Sequence, residues 1–128
     1  MSAKIVLVED EKIISLLLTK MLEKRGYSVL ESFDQGEDVI DYVKGKKVDV
    51  ALLDIYLKGK VNGIEAAKQI NSFSDTVIIF LTANTDRATK EMALETRQAG
   101  YFEKPLSDAE LDEICEIIET EMSKKPPE

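Results

Sequence analysis

Residues 48–57 read VDVALLDIYL, an apolar run through Val50, Ala51, Leu52 and Leu53 that stops on the carboxylate of Asp54. A short continuous apolar run is the mark of a strand buried on both faces, and such strands belong to parallel sheets covered by helices on either side. Ile5–Val8 and Val77–Leu81 have the same character and also end at polar groups, Glu9-Asp10-Glu11 and Thr82. A weaker alternating run at Tyr27–Glu31 and a short one at Tyr101-Phe102 bring the expected strands to five.

Between these runs the apolar period becomes helical. Ile14, Leu17, Leu18, Met21 and Leu22 predict a first helix, stopped by Gly26 after Lys24-Arg25. Val39, Ile40 and Val43 predict the second, and Ile64, Ala67 and Ile70 the third. A fourth, from about Asp86 to Gln98, has only Met92 and Leu94 as large apolar residues, so little anchors it. Leu111, Ile114, Cys115, Ile118 and Met122 predict the fifth, opened by Ser107 with Glu110 at capping-box spacing. Strand and helix thus alternate five times, which predicts an α/β fold with right-handed crossovers. The expected architecture is a doubly wound five-stranded parallel sheet, flavodoxin-like (βα)5, in the order 2-1-3-4-5.

A chain of 128 residues with 44% hydrophobic content is enough for one core. One domain over residues 1–123 is expected, with 124–128, where Lys124-Lys125 precede Pro126-Pro127, as a disordered tail or the start of a linker. Apolar runs stop at about half a dozen residues, where a membrane span takes ~20, and no basic stretch leads an apolar one at the N-terminus. No membrane association is expected, and the cytoplasm is the expected location. One cysteine, Cys115, excludes an internal disulfide, and the absence of histidine removes the usual zinc and nucleophile–base arrangements. The net charge is -8, and residues 107–128 set eight acids against Lys124 and Lys125. Such a surface repels nucleic-acid phosphates and anionic lipids, so no direct nucleic-acid partner is expected.

In the order 2-1-3-4-5 the first and third strands are neighbours, ~4.8 Å apart, and their ends bring Glu9, Asp10 and Asp54 to one small site. Two carboxylates ~5 Å apart repel by about 3 kcal/mol at an effective dielectric of ~20. A retained proton or a hard cation must offset that, and oxygen donors alone suit Mg²⁺. Singly, each acid reads as a solvated strand-end charge, Thr82 as a turn residue and Lys104 as a surface ammonium. All of them, however, fall on the same edge of the expected sheet.

Five separated signals now stand in a fixed order: Glu9-Asp10, Asp54 after an apolar strand, Asn62-Gly63, Thr82-Ala83 and Lys104-Pro105. With them the chain, from Lys4 to about Met122, resembles the response regulator receiver domain, the phospho-accepting module of two-component signalling. The resemblance implies that Asp54 is the phosphoacceptor, taking a phosphoryl group from a histidine kinase or phosphotransfer protein. It implies Mg²⁺ (or Mn²⁺) held by Asp10, Asp54 and the backbone carbonyl of Tyr56, with Glu9 acting through water. Lys104 would pair with Asp54 and then with the phosphoryl oxygens, and Thr82 would donate a hydrogen bond to the phosphoryl group. Thr82 and Tyr101 are the implied switch, with Tyr101 passing from exposed to buried. Tyr56 and Asn84 occupy positions that tune phosphoryl lifetime, and the Lys104-Pro105 peptide is expected to be cis. Such a protein is not a conventional enzyme; its chemistry is Mg²⁺-dependent self-phosphorylation and autodephosphorylation at an aspartate.

Two departures stand out. Glu9 replaces the more frequent Asp, and the loop Leu57–Asn62 is one residue longer than the commonest spacing. The competing readings are a non-phosphorylated pseudo-receiver, a flavodoxin-like cofactor binder and a self-contained aspartyl phosphatase. Intact Asp10, Asp54, Thr82 and Lys104 weigh against the first. Glu9-Asp10-Glu11 in place of a Ser/Thr/Gly-rich phosphate loop weighs against the second, and the lack of an acid two residues after Asp54 against the third. Output is expected on the face made by the fourth helix, fifth strand and fifth helix, through an output protein or a phosphorylation-dependent homodimer. Arg87, Lys90 and Arg97 would there meet Asp112, Glu113, Glu116 and Glu119 across a two-fold axis.

Overall fold

The computed structural model describes residues 3–83 and 86–125. In chain order the elements are β1 (Lys4–Val8), α1 (Lys12–Lys24), β2 (Ser28–Phe33), α2 (Gly36–Gly45), β3 (Val50–Asp54), α3 (Gly63–Asn71), β4 (Val77–Thr82), α4 (Arg87–Leu94), β5 (Gly100–Glu103) and α5 (Asp108–Ser123). The five strands form one parallel sheet in the order β2-β1-β3-β4-β5, the doubly wound arrangement that the alternation predicts.

Successive side chains of a strand face opposite sides of the sheet, and the core divides accordingly. Val6, Val8, Ala51, Leu53, Ile78 and Phe80 pack toward α2, α3 and Ala93 of α4. Ile5, Leu7, Val50, Leu52, Ile79 and Leu81 pack toward α1 and α5. Every residue of β3 and β4 is buried, which is why both read as unbroken apolar runs. The register pairs Val8 with Leu53, Asp54 with Leu81, and Thr82 with Glu103, so the polar ends of β1, β3, β4 and β5 share one edge.

Two helices differ from expectation. In α1 the packed stripe is Ile14, Leu18, Met21 and Leu22, while Leu17, expected on it, is 57% exposed together with Ile13 and Leu16. Positions one apart on a helix diverge by about 100°, so a stripe centred on Leu18 carries Leu17 off the core face. The fourth helix ends at Leu94, short of the expected Gln98. Its last turn tightens: Thr96 donates to the Ala93 carbonyl from both its backbone N–H (3.1 Å) and its hydroxyl (2.6 Å). Arg97 therefore lies beyond α4, where its guanidinium donates to the carbonyls of Asn71 and Ser74. Of the α4 residues only Ala93 is buried.

At the C-terminal end Lys124 caps α5, and the Lys125 ammonium stands 3.6 Å from Asp49 Oδ1. Asp49 also accepts from the Lys4 N–H at 2.7 Å, at the sheet edge opposite the polar strand ends. Among the described residues no helix is long and apolar enough to cross a membrane.

Candidate functional site

Glu9 follows β1 and is fixed there because its N–H donates to the Phe33 carbonyl at 2.9 Å. Asp54 closes β3, and Asp10 stands beside both. Carboxylate oxygens of Glu9, Asp10 and Asp54 all lie within 4.8 Å of one another. Glu9 and Asp54 are buried, whereas Asp10 is half-buried.

Lys104 arrives from the far side of the sheet. Its N–H donates to the Thr82 carbonyl at 2.9 Å, extending the β4–β5 ladder by one residue, and the Lys104-Pro105 peptide is cis. Its ammonium reaches Asp54 Oδ2 at 3.1 Å and is also hydrogen-bonded to Glu9 Oε1. The second contact gives the longer Glu9 side chain a use: the extra methylene carries its carboxylate to Lys104. Glu9 Oε2 accepts from the Glu11 N–H at 3.1 Å, so both oxygens are engaged, each keeping a lone pair for a water.

Burial raises the pKa of Asp54 and of Glu9 above ordinary carboxyl values, against the opposing pull of Lys104. Burial also works to lower Lys104, but its bonds to Glu9 and Asp54 outweigh that and raise it. The ammonium is therefore firmly protonated. Three carboxylates against one ammonium leave two negative charges, which a divalent cation would neutralise. The donors are all oxygen, the set that suits Mg²⁺ or Mn²⁺ rather than zinc or copper.

The loop after β3 is shaped by three contacts. Gly63 opens α3 with its N–H on the Ile55 carbonyl at 2.8 Å, and a Cβ there would meet the Asp54 carbonyl oxygen at 2.1 Å. Only glycine permits that approach, so the Asn62-Gly63 pair seats the helix against the backbone of Asp54 itself. Asn62 caps α3 through a capping box with Glu65. Glu37 of α2 accepts the Val61 N–H at 3.1 Å, and the longer loop turns at Gly59 with φ +101°.

Tyr56 touches both ends of the site. Its N–H donates to Asp54 Oδ1 at 3.2 Å, and its hydroxyl donates to Asp86 Oδ2 at 2.8 Å. Thr82 is fully buried at the end of β4. Tyr101 is half-buried, packed against the core cluster on the α2 and α3 side of the sheet, with Lys90 Nζ 5.6 Å from its ring centroid. Its hydroxyl is buried and has no hydrogen-bond partner among the described residues, so the ring already points inward. Asn84 lies outside the described residues.

The structure thus gathers Glu9, Asp10, Asp54, Tyr56, Thr82 and Lys104 on one sheet edge, with Tyr101 one strand away. The charged stripes expected to pair across a two-fold axis are depleted: Arg97 is off α4, Asp112 is held by Arg25 at 3.1 Å, and Glu119 accepts from the Tyr27 hydroxyl. Sequence reading missed the Glu9–Lys104 contact and the parts of Asp86 and Thr89. For that pair the signal was present, an Asp followed three residues later by Thr at a helix start.

A family model described as the response regulator receiver domain matches residues 5–116. Among curated proteins, the transcriptional regulatory protein YvrH of Bacillus subtilis (strain 168) is 36% identical over 110 residues, 86% of this chain and 46% of that protein. The chain therefore spans about half the length of that relative. Among solved structures, the signal receiver domain of a modulated diguanylate cyclase from Desulfovibrio desulfuricans G20 superposes with a TM-score of 0.87 at 30% identity, covering 98% of this chain and 100% of that one. The N-terminal domain of a response regulator/sensory box/GGDEF three-domain protein from Carboxydothermus hydrogenoformans gives 0.84 at 31% identity, over 94% and 97%.

Proposed function

The chain belongs to the response regulator receiver family, and from that premise we propose that it is a cytoplasmic switch whose Asp54 accepts a phosphoryl group from a phosphohistidine on a kinase or phosphotransfer protein. The observation that carries the reading is the buried Asp54 carboxylate, drawn together with Glu9 and Asp10 and bonded to Lys104. In the transfer an Asp54 oxygen bonds to phosphorus as the donor's N–P bond breaks, leaving an acyl phosphate on the chain. Lys104, already beside Asp54, follows the charge onto the phosphoryl oxygens, and the Thr82 hydroxyl donates to one of them. Mg²⁺ (or Mn²⁺) held by Asp10, Asp54 and the Tyr56 carbonyl, with Glu9 through water, would neutralise charge on those oxygens. Tyr56, two residues after Asp54 in sequence, and Asn84, two residues after Thr82, set how readily water reaches the acyl phosphate. Thr82 and the inward Tyr101 transmit the change to the α4, β5 and α5 face, where an output protein or a second copy reads it.

The chemistry is tested by incubation with acetyl phosphate and Mg²⁺, followed by intact mass. One added phosphoryl group is expected, and none when EDTA removes the metal; an unchanged mass with Mg²⁺ present would overturn the reading. The protein donor has its own test. Leu16 and Lys12 of α1 share a groove with Glu9, and Ile13 and Leu17 of the same helix are exposed as well. Leu16→Glu is expected to slow transfer from a phosphohistidine protein about tenfold or more, as losing an interface anchor does, while acetyl phosphate reacts as before. Equal slowing with both donors would place the effect in the chemistry and remove α1 from the docking surface.

A further inference from the structure

Tyr56 bonds to Asp54 through its backbone and to the start of α4 through its side chain. Its backbone N–H holds Asp54 Oδ1 at 3.2 Å, while its hydroxyl stands 2.8 Å from Asp86 Oδ2 and 2.8 Å from Thr89 Oγ1. Asp86 is the N-cap of α4, its Oδ1 accepting the Thr89 N–H at 2.9 Å and its Oδ2 the Thr89 hydroxyl at 2.8 Å. The Tyr56 and Thr89 hydroxyls supply two protons to this triangle, and the Asp86 carboxylate is the strongest acceptor in it. The Tyr56 side chain therefore runs from the end of β3, across the neighbouring β4, to the first turn of α4. Apolar packing anchors the helix weakly, since Ala93 is the one buried residue of α4 and Met92 and Leu94 are 49% and 47% exposed.

We propose that Tyr56 is a positioning residue that couples the phosphoacceptor to α4: its hydroxyl, through Asp86 and Thr89, holds the start of the helix in the arrangement adopted when Asp54 is unmodified. The coupling rests on the reading of Asp54 as phosphoacceptor. While Asp54 is a free carboxylate, its bond from the Tyr56 N–H is charge-assisted. Conversion to the acyl phosphate moves that charge outward, weakens the bond, and lets the Tyr56 backbone shift, which loosens the hold of its hydroxyl on Asp86 and Thr89. This route from site to surface runs through the Tyr56 hydroxyl rather than through Thr82. Linkage makes it reciprocal: whatever factor the latch adds to the unmodified arrangement, it removes from the affinity for a phosphoryl group.

Hydrogen exchange on the unmodified protein and titration with beryllofluoride in Mg²⁺, a phosphoryl mimic, test the two halves. Tyr56→Phe keeps the ring and removes the hydroxyl. It is expected to speed amide exchange across Arg87–Leu94 roughly threefold to tenfold, one exposed hydrogen bond's worth, and to tighten mimic binding by a similar factor. Thr89→Val, far from the Asp54 loop in sequence, should act in the same direction. The double variant should add little beyond Tyr56→Phe, because both changes break one triangle. Unchanged exchange overturns the latch even if the mimic binds. Faster exchange with unchanged mimic affinity, or fully additive variants, overturns the coupling. Failure of the mimic to bind the wild type overturns the phosphoacceptor reading and the coupling together.

Discussion

Asp54→Asn is expected to abolish phosphoryl acceptance and, in metal-free buffer, to raise the thermal midpoint rather than lower it. Burial outweighs Lys104 at this carboxyl and raises its pKa, so the fold prefers the neutral form that asparagine supplies with the same shape. A carboxyl whose folded pKa lies above its unfolded value contributes stability below the unfolded value and loses it as pH rises through the folded one. The gain from asparagine should therefore be present at neutral pH and fade toward about pH 4, where the unfolded carboxyl also protonates. Metal reverses the ranking. A cation at 100 times its Kd stabilises the wild type by ~2.7 kcal/mol, on the order of 10 °C for a domain of this size, and the variant lacks one ligand. Thermal unfolding in EDTA and in Mg²⁺ reads both effects; an asparagine variant less stable than wild type in EDTA would show that the Lys104 pairing outweighs the burial cost.

Lys104→Met should be the most damaging single change at the site. Its ammonium bonds Glu9 and Asp54, and all three side chains are nearly inaccessible to water. Removing one partner of a buried ionic cluster costs about 3–5 kcal/mol, because the remaining charges stay buried without compensation. The raised pKa of Lys104 places the wild-type contribution below the ordinary lysine value, to be lost only as pH climbs through the folded one, so it is intact across neutral pH. In the variant, Glu9 and Asp54 repel each other when both are ionised. The deficit should be largest near pH 8 and shrink as pH falls and one of them protonates. Denaturant unfolding at pH 8 and pH 5 measures this, and a deficit independent of pH would argue for lost packing instead. Phosphorylation by acetyl phosphate should also slow by about 10²-fold, the usual loss when a preorganised charge is removed from a transition state.

The fold was legible in the sequence where burial was complete. All of β3 and β4 is enclosed, so apolar runs ending at Asp54 and Thr82 fixed two strands and the polar edge together. Glycine was equally readable at Asn62-Gly63, although its reason, the 2.1 Å approach a Cβ would make to the Asp54 carbonyl, is visible only in three dimensions. Helices were read less well because their faces are graded: Leu17 satisfies helical spacing yet lies off the packed stripe, and α4 ends early where Thr96 turns back onto Ala93. Contacts made by long side chains between distant segments left little trace. Nothing in Glu9 or Lys104 alone says that they meet across 95 residues, and nothing in Tyr56 says that its hydroxyl reaches the cap of α4.

The central assignment is a single atom group, the Asp54 carboxylate, and it can be located chemically. Borohydride cleaves an acyl phosphate and reduces its carbonyl carbon to an alcohol, so a phosphorylated aspartate becomes homoserine, whose position peptide mapping reads. After incubation with acetyl phosphate and Mg²⁺, homoserine at position 54 and at no other is the expected result. A reduced residue at Glu9 or Asp10 instead, or no reduced residue at all, would contradict it.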